Sequence, residues 1–133
     1  MPSMDEYAKA PVAVRLKRLE STPDELAGAV RGQSEAALAR RPDPKLSFDP
    51  ATPDRWAEER QYLRNDVAAA LAAFRKRREE SLVLLRALTH AQWERGGAHA
   101  TRGRITIDDF VTVMAGHDDN HLDQLRRALE GRA

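Results

Sequence analysis

The chain has 133 residues, no cysteine, 32% charged residues and a formal net charge of +1. The missing cysteines exclude disulfides, thiolate metal ligands and a cysteine nucleophile within this sequence. The near balance of charge gives no bulk electrostatic reason to expect a nucleic acid or a membrane as partner. The length suits a single domain over residues 1–133. Without a long apolar run or a signal-peptide pattern, we expect a soluble, cytoplasmic protein.

Helix formers dominate the composition and β-branched residues are few, which predicts an all-α fold, and no stretch has a convincing strand pattern. A first amphipathic segment runs from Tyr7 to Leu19, with Pro11 near its start. Thr22–Pro23 resembles an N-cap followed by a first helical residue, so we expect a second, short helix that ends at Val30. The prolines between Pro42 and Pro50 predict a loop.

A long helical pattern is predicted from Thr52–Pro53, which repeats the earlier start signal, toward Leu88, either continuous or interrupted near Asn65–Asp66. Arg78 extends its apolar stripe, whereas the neighbouring basic residues form a solvated face with Glu79 and Glu80. The expected core positions of this helix are Val67, Leu71, Phe74, Leu82, Leu85 and Leu88.

The stretch from Thr89 to Arg104 is predicted to be a loop, with Trp93 filling part of the core. His99 lies in this loop, where its side chain is expected either in solvent or in a pocket at the end of the bundle.

The last predicted helix spans Thr106 to Leu129, with Thr106 as N-cap and Asp109 three residues on. Apolar residues recur through it with the helical period and predict an inward stripe: Ile107, Phe110, Val111, Met114, Leu122, Leu125 and Leu129.

His117 and His121 fall on the same predicted stripe, one helical turn apart. Side chains at this spacing share one helix face, with Cβ atoms roughly 5–6 Å apart, so two imidazoles can reach one cation. Asp118 and Asp119 are expected to point elsewhere. Because Asp118 follows His117 where the HExxH pattern needs glutamate, this is not a metalloprotease helix. The alternative is that both histidines are ordinary polar residues of a bundle seam.

Five stretches together resemble the DinB-like superfamily of metal-binding helical bundles, which includes the YfiT-like metal-dependent hydrolases. They are TPDELAGAV (Thr22–Val30), ARRPDP (Ala39–Pro44), FRKRREESLVLLRAL (Phe74–Leu88), WERGGAHATRGRITIDDF (Trp93–Phe110) and HDDNHLDQL (His117–Leu125).

The resemblance implies an up-and-down four-helix bundle that holds nickel, zinc or iron through three histidines. Two of these histidines carry over to His117 and His121. The third belongs to a second-helix segment resembling WS-x-x-E-V-x-x-H-L, and no histidine precedes His90 here. We therefore expect a bundle shortened by about one helix and one ligand, with His99 as a possible additional site residue.

The implied activity is that of a metal-dependent hydrolase or a thiol-dependent transferase that acts on a small-molecule substrate. The alternative is a non-catalytic helical-bundle dimer that has lost the complete metal site. In both cases we expect a homodimer, because a shortened bundle leaves apolar surface uncovered.

Overall fold

The computed structural model describes residues 1–34 and 66–132. In chain order the elements are α1 (Met4–Lys9), α2 (Val12–Val30), α3 (Val67–Arg86), α4 (His90–Trp93), β1 (Gly96–His99), β2 (Gly103–Thr106) and α5 (Ile107–Leu129). The predicted all-α bundle is confirmed, since helices form the core. The loop from Pro42 to Pro50 and the helix start at Thr52–Pro53 lie outside the described residues. None of the helices just named is long and apolar enough to cross a membrane.

Three of the helices begin with a capping box, in which the N-cap hydroxyl and the side chain three residues on satisfy each other's backbone N–H groups. Ser3 and Glu6 do this for α1, and Thr89 and Gln92 for α4. In α5, Thr106 Oγ1 accepts from the N–H of Asp109 at 3.1 Å, and Asp109 Oδ2 accepts from the N–H of Thr106 at 3.0 Å. The prediction of Thr106 as N-cap is therefore confirmed.

The prediction that Thr22–Pro23 starts a new helix is wrong, because α2 continues through both residues to Val30. Pro23 has no N–H to donate to the carbonyl of Leu19, four residues earlier. The guanidinium of Arg78, on α3, donates to that carbonyl instead at 3.1 Å. Arg78, which is distant in sequence, thus donates to the carbonyl that Pro23 leaves without a helical partner. Helix α2 therefore continues through Pro23.

The stretch from Thr89 to Arg104 is more regular than the predicted loop, since it holds α4 and most of an antiparallel hairpin. The pairing runs from Gly96 opposite Thr106 to His99 opposite Gly103. A Cβ atom on Gly96 would lie 2.4 Å from the carbonyl oxygen of Ile105, so only glycine allows this approach. Apolar and polar residues do not alternate in these two strands, so the sequence pattern does not predict the hairpin.

Helix α2 lies between α3 and α5, and α1 packs against α5. The core is Tyr7, Leu16, Leu19, Leu82, Trp93, Val111 and Ala115. Trp93 is buried, as predicted, and so is Arg78, which extends the apolar stripe of α3. Leu85 and Leu88 pack against this core, whereas Val67, also expected in the core, is exposed.

Candidate metal centre

The two sides of α5 define the site, and the side facing the other helices carries buried charge. Asp118 forms an ion pair with Arg78 of α3. Arg78 Nη1 donates to Asp118 Oδ2, and Arg78 Nη2 donates to Asp118 Oδ1 at 3.2 Å. Thr22 of α2 also donates its hydroxyl to Asp118 Oδ2 at 2.6 Å. The Arg78 side chain is only 9% exposed and that of Asp118 13%. One carboxylate therefore joins α2, α3 and α5 at the centre of the bundle.

Asp119 forms the second buried contact, with α1 and α2. The hydroxyl of Tyr7 donates to Asp119 Oδ2, and Arg18 Nε lies 3.2 Å from Oδ1. Burial, and then the hydrogen bond to Asp119, raises the pKa of Tyr7 above its usual 10.0. Arg18 also pairs with Glu25, and this hydrogen bond lowers the pKa of the Glu25 carboxyl. The network therefore runs from α1 through α5 to the second half of α2.

A third arginine holds the start of α5. Arg15 of α2 is 3% exposed, and its Nη1 donates to the Asp108 carbonyl at 3.1 Å and to Thr112 Oγ1 at 3.0 Å. Its Nη2 lies 2.8 Å from Asp108 Oδ1. Turning α5 about its axis would separate these groups and leave buried guanidinium groups without carboxylates, at a cost of about 3–5 kcal/mol for each broken pair. The three arginines therefore fix the rotation of α5.

With α5 held in this rotation, His117 and His121 are exposed on the side away from α2. Their ring centroids are 5.2 Å apart and the ring planes are inclined by 64°. The expectation of an inward His pair is wrong, and so is that of an inward Phe110, which is 56% exposed. The physical reason is that Asp118 and Asp119 have arginine partners inside the bundle, whereas the imidazoles do not need one in solvent.

Gln124 orients one of the two imidazoles. Its Oε1 lies 3.1 Å from Nδ1 of His121. With the amide oxygen of Gln124 facing the ring, Nδ1 carries the proton that it accepts and the lone pair is on Nε2. A hydrogen bond to the second ring nitrogen is how proteins commonly orient a metal-ligating histidine.

The pair offers two nitrogen ligands for a cation on one helix face. Two imidazoles at this distance can ligate one cation, and zinc commonly takes three or four protein ligands. Within residues 1–34 and 66–132, no group of three or more His, Cys, Asp or Glu side chains is placed to hold a metal ion. The donor set therefore fits a divalent metal, but as two ligands of a larger set.

The other two histidines are placed differently. His99 is exposed at the end of β1, and its Nδ1 accepts from the N–H groups of Thr101 at 3.1 Å and Arg102 at 3.2 Å. This arrangement puts the ring proton on Nε2 and favours a structural role in the hairpin turn. His99 also lines an open depression of about 450 Å³ with Phe110 and Ile105. His90 is exposed at the start of α4.

Sequence reasoning found the His pair but missed the residues that orient it. Gln124 follows His121 by three residues, a spacing at which helical side chains meet, so this partner was detectable. Asp118 and Asp119 were not, because their partners Arg78 and Arg18 lie on other helices. The stretch after Pro44, where the family's second-helix segment would follow, lies outside the described residues. The loss of that helix therefore stays a prediction.

The family model of the DinB superfamily matches residues 44–125, more than half of the chain. The match includes α3, the hairpin and both His117 and His121, and it begins at the last residue of the ARRPDP stretch. No curated protein and no solved structure matches the chain.

Proposed function

Because this chain belongs to the DinB superfamily, we propose that it is a divalent-metal-binding bundle whose ligands include His117 and His121. The observation that supports this most directly is the arrangement of the two imidazoles. They lie on one exposed helix face with ring centroids 5.2 Å apart, and the Gln124 amide contacts Nδ1 of His121, which leaves Nε2 to ligate a cation. Nickel, zinc and iron are the metals to test, since all three accept imidazole nitrogen.

The bundle supplies rigidity to this face. Arg78 and Arg18 hold the aspartates between the two histidines, so α5 cannot turn without breaking buried ion pairs. The imidazoles consequently stay on one side with their separation set by the helix. A ligand pair whose spacing is already fixed loses less conformational entropy when it binds a cation.

For a reaction, we propose the hydrolase or thiol-dependent transferase class, with a small-molecule substrate. A bound metal would polarise a substrate oxygen or thiol, or lower the pKa of a bound water. The surface that could hold such a substrate is the depression lined by Phe110, Ile105 and Ile107. Phe110 lies two turns before His117, about 10 Å along the helix axis, which suits the apolar part of a small substrate.

The alternative function is a non-catalytic helical-bundle dimer. The observation that favours it is the ligand deficit, since the described residues hold no group of three donors. Metal content separates the two functions, because the alternative needs no metal.

Calorimetric titration of the full chain with nickel and zinc tests the proposal. Wild-type protein should bind, and His117→Ala and His121→Ala should each abolish binding because one imidazole per chain remains. His90→Ala is the matched control, since it removes an exposed histidine on α4, and should leave the affinity unchanged. Equal affinity in wild type and His121→Ala would contradict the proposal and favour the non-catalytic bundle.

A further inference from the structure

Helix α1 packs on α5 through two side chains of the same face. Met4 and Tyr7 are three residues apart in α1, a spacing that places both on one side of the helix. They contact Gly116 and Asp119, which are also three residues apart on α5. The two helices therefore run in the same direction where they meet, and the thioether of Met4 lies beside the hydrogen bond from Tyr7 to Asp119.

The sulfur of Met4 occupies the space that a side chain would take at Gly116. A Cβ atom at Gly116 would overlap Met4 Sδ and would lie 2.8 Å from Met4 Cε. The thioether thus packs directly on the backbone of α5, and any larger residue at position 116 would push it away. Met4 is nevertheless 40% exposed, whereas Tyr7 is 4% exposed. A small solute can therefore reach the Met4 side chain while it is packed.

The fold of α1 depends on this packing. The helix has six residues, which is too short to be stable in water by itself. The capping box of Ser3 and Glu6 satisfies backbone N–H groups at its start, but both residues are exposed and bury no apolar surface. The apolar contacts that hold α1 are those of Met4 and Tyr7, so a change at Met4 acts on the whole helix.

We propose that Met4 is a site of reversible oxidation by peroxide, and that its sulfoxide loosens α1 from α5. The thioether sulfur attacks one peroxide oxygen; an S–O bond forms as the O–O bond breaks, and the other oxygen leaves as water. The sulfur loses two electrons and the peroxide gains them. Reduction by two thiols returns the thioether and gives a disulfide and water, a step that methionine sulfoxide reductases catalyse.

The sulfoxide is incompatible with the contact on Gly116. Oxidation converts a flexible apolar side chain into a polar one, and its new oxygen needs a hydrogen-bond donor or water. When α1 loosens, the Tyr7 hydroxyl separates from Asp119, which Arg18 also holds. The oxidation state of Met4 is therefore linked to the network that fixes the rotation of α5.

Hydrogen exchange of the full chain, followed by mass spectrometry before and after treatment with hydrogen peroxide, tests the proposal. Peptide mapping should place sulfoxide at Met1 and Met4, and more slowly at Met114, which packs against the core. The amides of α1, such as that of Tyr7, should then exchange about tenfold faster, because the helix loses part of its buried apolar surface. The amides of α2 and α3 should be unchanged. Methionine sulfoxide reductase with dithiothreitol should restore slow exchange.

Two variants separate the contact from the oxidant. Met4→Leu is the matched control, because leucine is apolar, of similar size and not oxidised. Peroxide should leave its α1 exchange unchanged although Met1, 81% exposed, is still oxidised. Gly116→Ala displaces the thioether without oxidant, so the exchange of α1 and the rate of Met4 oxidation should both rise.

Three outcomes would overturn the proposal. They are no sulfoxide at Met4 while Met1 is oxidised, a sulfoxide at Met4 that leaves α1 exchange unchanged, and an equal response to peroxide in Met4→Leu and wild type. Faster exchange throughout α2, α3 and α5 would also overturn it, since it would indicate general unfolding. Failure of the reductase to restore slow exchange would overturn the reversibility.

Discussion

On α5 the carboxylates of Asp118 and Asp119 point into the bundle, whereas the imidazoles of His117 and His121 point away from it. These four residues occupy little more than one helical turn. The inner pair is held by arginines from α2 and α3, whereas in the outer pair His121 contacts Gln124. The guanidinium groups offset part of the desolvation cost of the two buried carboxylates, whereas the imidazoles lie in solvent. The inner pair therefore sets which side of α5 faces the core, and the two imidazoles lie on the other side.

The largest expected effect is that of Asp118→Ala. It leaves the buried guanidinium of Arg78 without its carboxylate, which typically costs about 3–5 kcal/mol of unfolding free energy. Urea unfolding of the metal-free protein measures this cost. The matched control from the outer face is His121→Ala, which should change the unfolding free energy by less than about 0.5 kcal/mol.

A paired substitution sharpens the same comparison. Replacing both Arg78 and Asp118 by leucine removes the ion pair without leaving a charge unpaired, so we expect it to recover most of the stability lost in Asp118→Ala. The carbonyl of Leu19 still loses the donor that Arg78 supplies, at about 1–3 kcal/mol. A double variant no more stable than Asp118→Ala would show that the ion pair itself contributes most of the stability.

On the outer face, Gln124→Leu should weaken metal binding about tenfold or more, because it removes the acceptor that orients His121. Calorimetric titration with zinc measures the affinity, and the unfolding free energy of the metal-free protein should stay within about 0.5 kcal/mol of wild type. An unchanged affinity would show that the ring of His121 is oriented without Gln124.

A smaller effect on the inner face is expected from Tyr7→Phe, which removes the hydroxyl that donates to Asp119. The loss should be about 1 kcal/mol at neutral pH. Because the pKa of Tyr7 is raised by folding, its contribution is complete below its usual pKa of 10.0 and is lost as the pH rises through the folded value. Chemical unfolding of both proteins from pH 7 to pH 11 should therefore show the difference shrink above pH 10. A constant difference across this range would contradict the assignment.

The smallest effect is expected from Glu25→Gln, at the exposed end of the inner network. The hydrogen bond from Arg18 lowers the pKa of Glu25, so its contribution to stability is present above the usual value of 4.5 and is lost as the pH falls through the folded value. Because about a third of the Glu25 side chain is exposed, solvent screening limits the difference at pH 7 to less than about 1 kcal/mol. Unfolding midpoints of the two proteins should converge in acid, and convergence at neutral pH would show that the Arg18–Glu25 pair contributes nothing.

Several features of this protein were readable from local sequence. Thr106 and Asp109 indicate the start of α5, because a capping box involves only four consecutive residues. The position of Arg78 on an apolar stripe, and the shared helix face of His117 and His121, follow from helical spacing. These features needed no knowledge of which elements become neighbours.

The tertiary structure alone decided which side of α5 faces inward. Helical periodicity groups His117 and His121 with apolar residues, but it cannot show that Arg78 and Arg18 lie opposite Asp118 and Asp119. Those partners are 40 and 101 residues away in the chain, and only packing of three helices brings them together. The same contact explains why α2 continues through Pro23, since Arg78 also satisfies the carbonyl of Leu19. The rotation of a helix is set by the partners of its polar residues, and those partners are contributed by other elements of the fold.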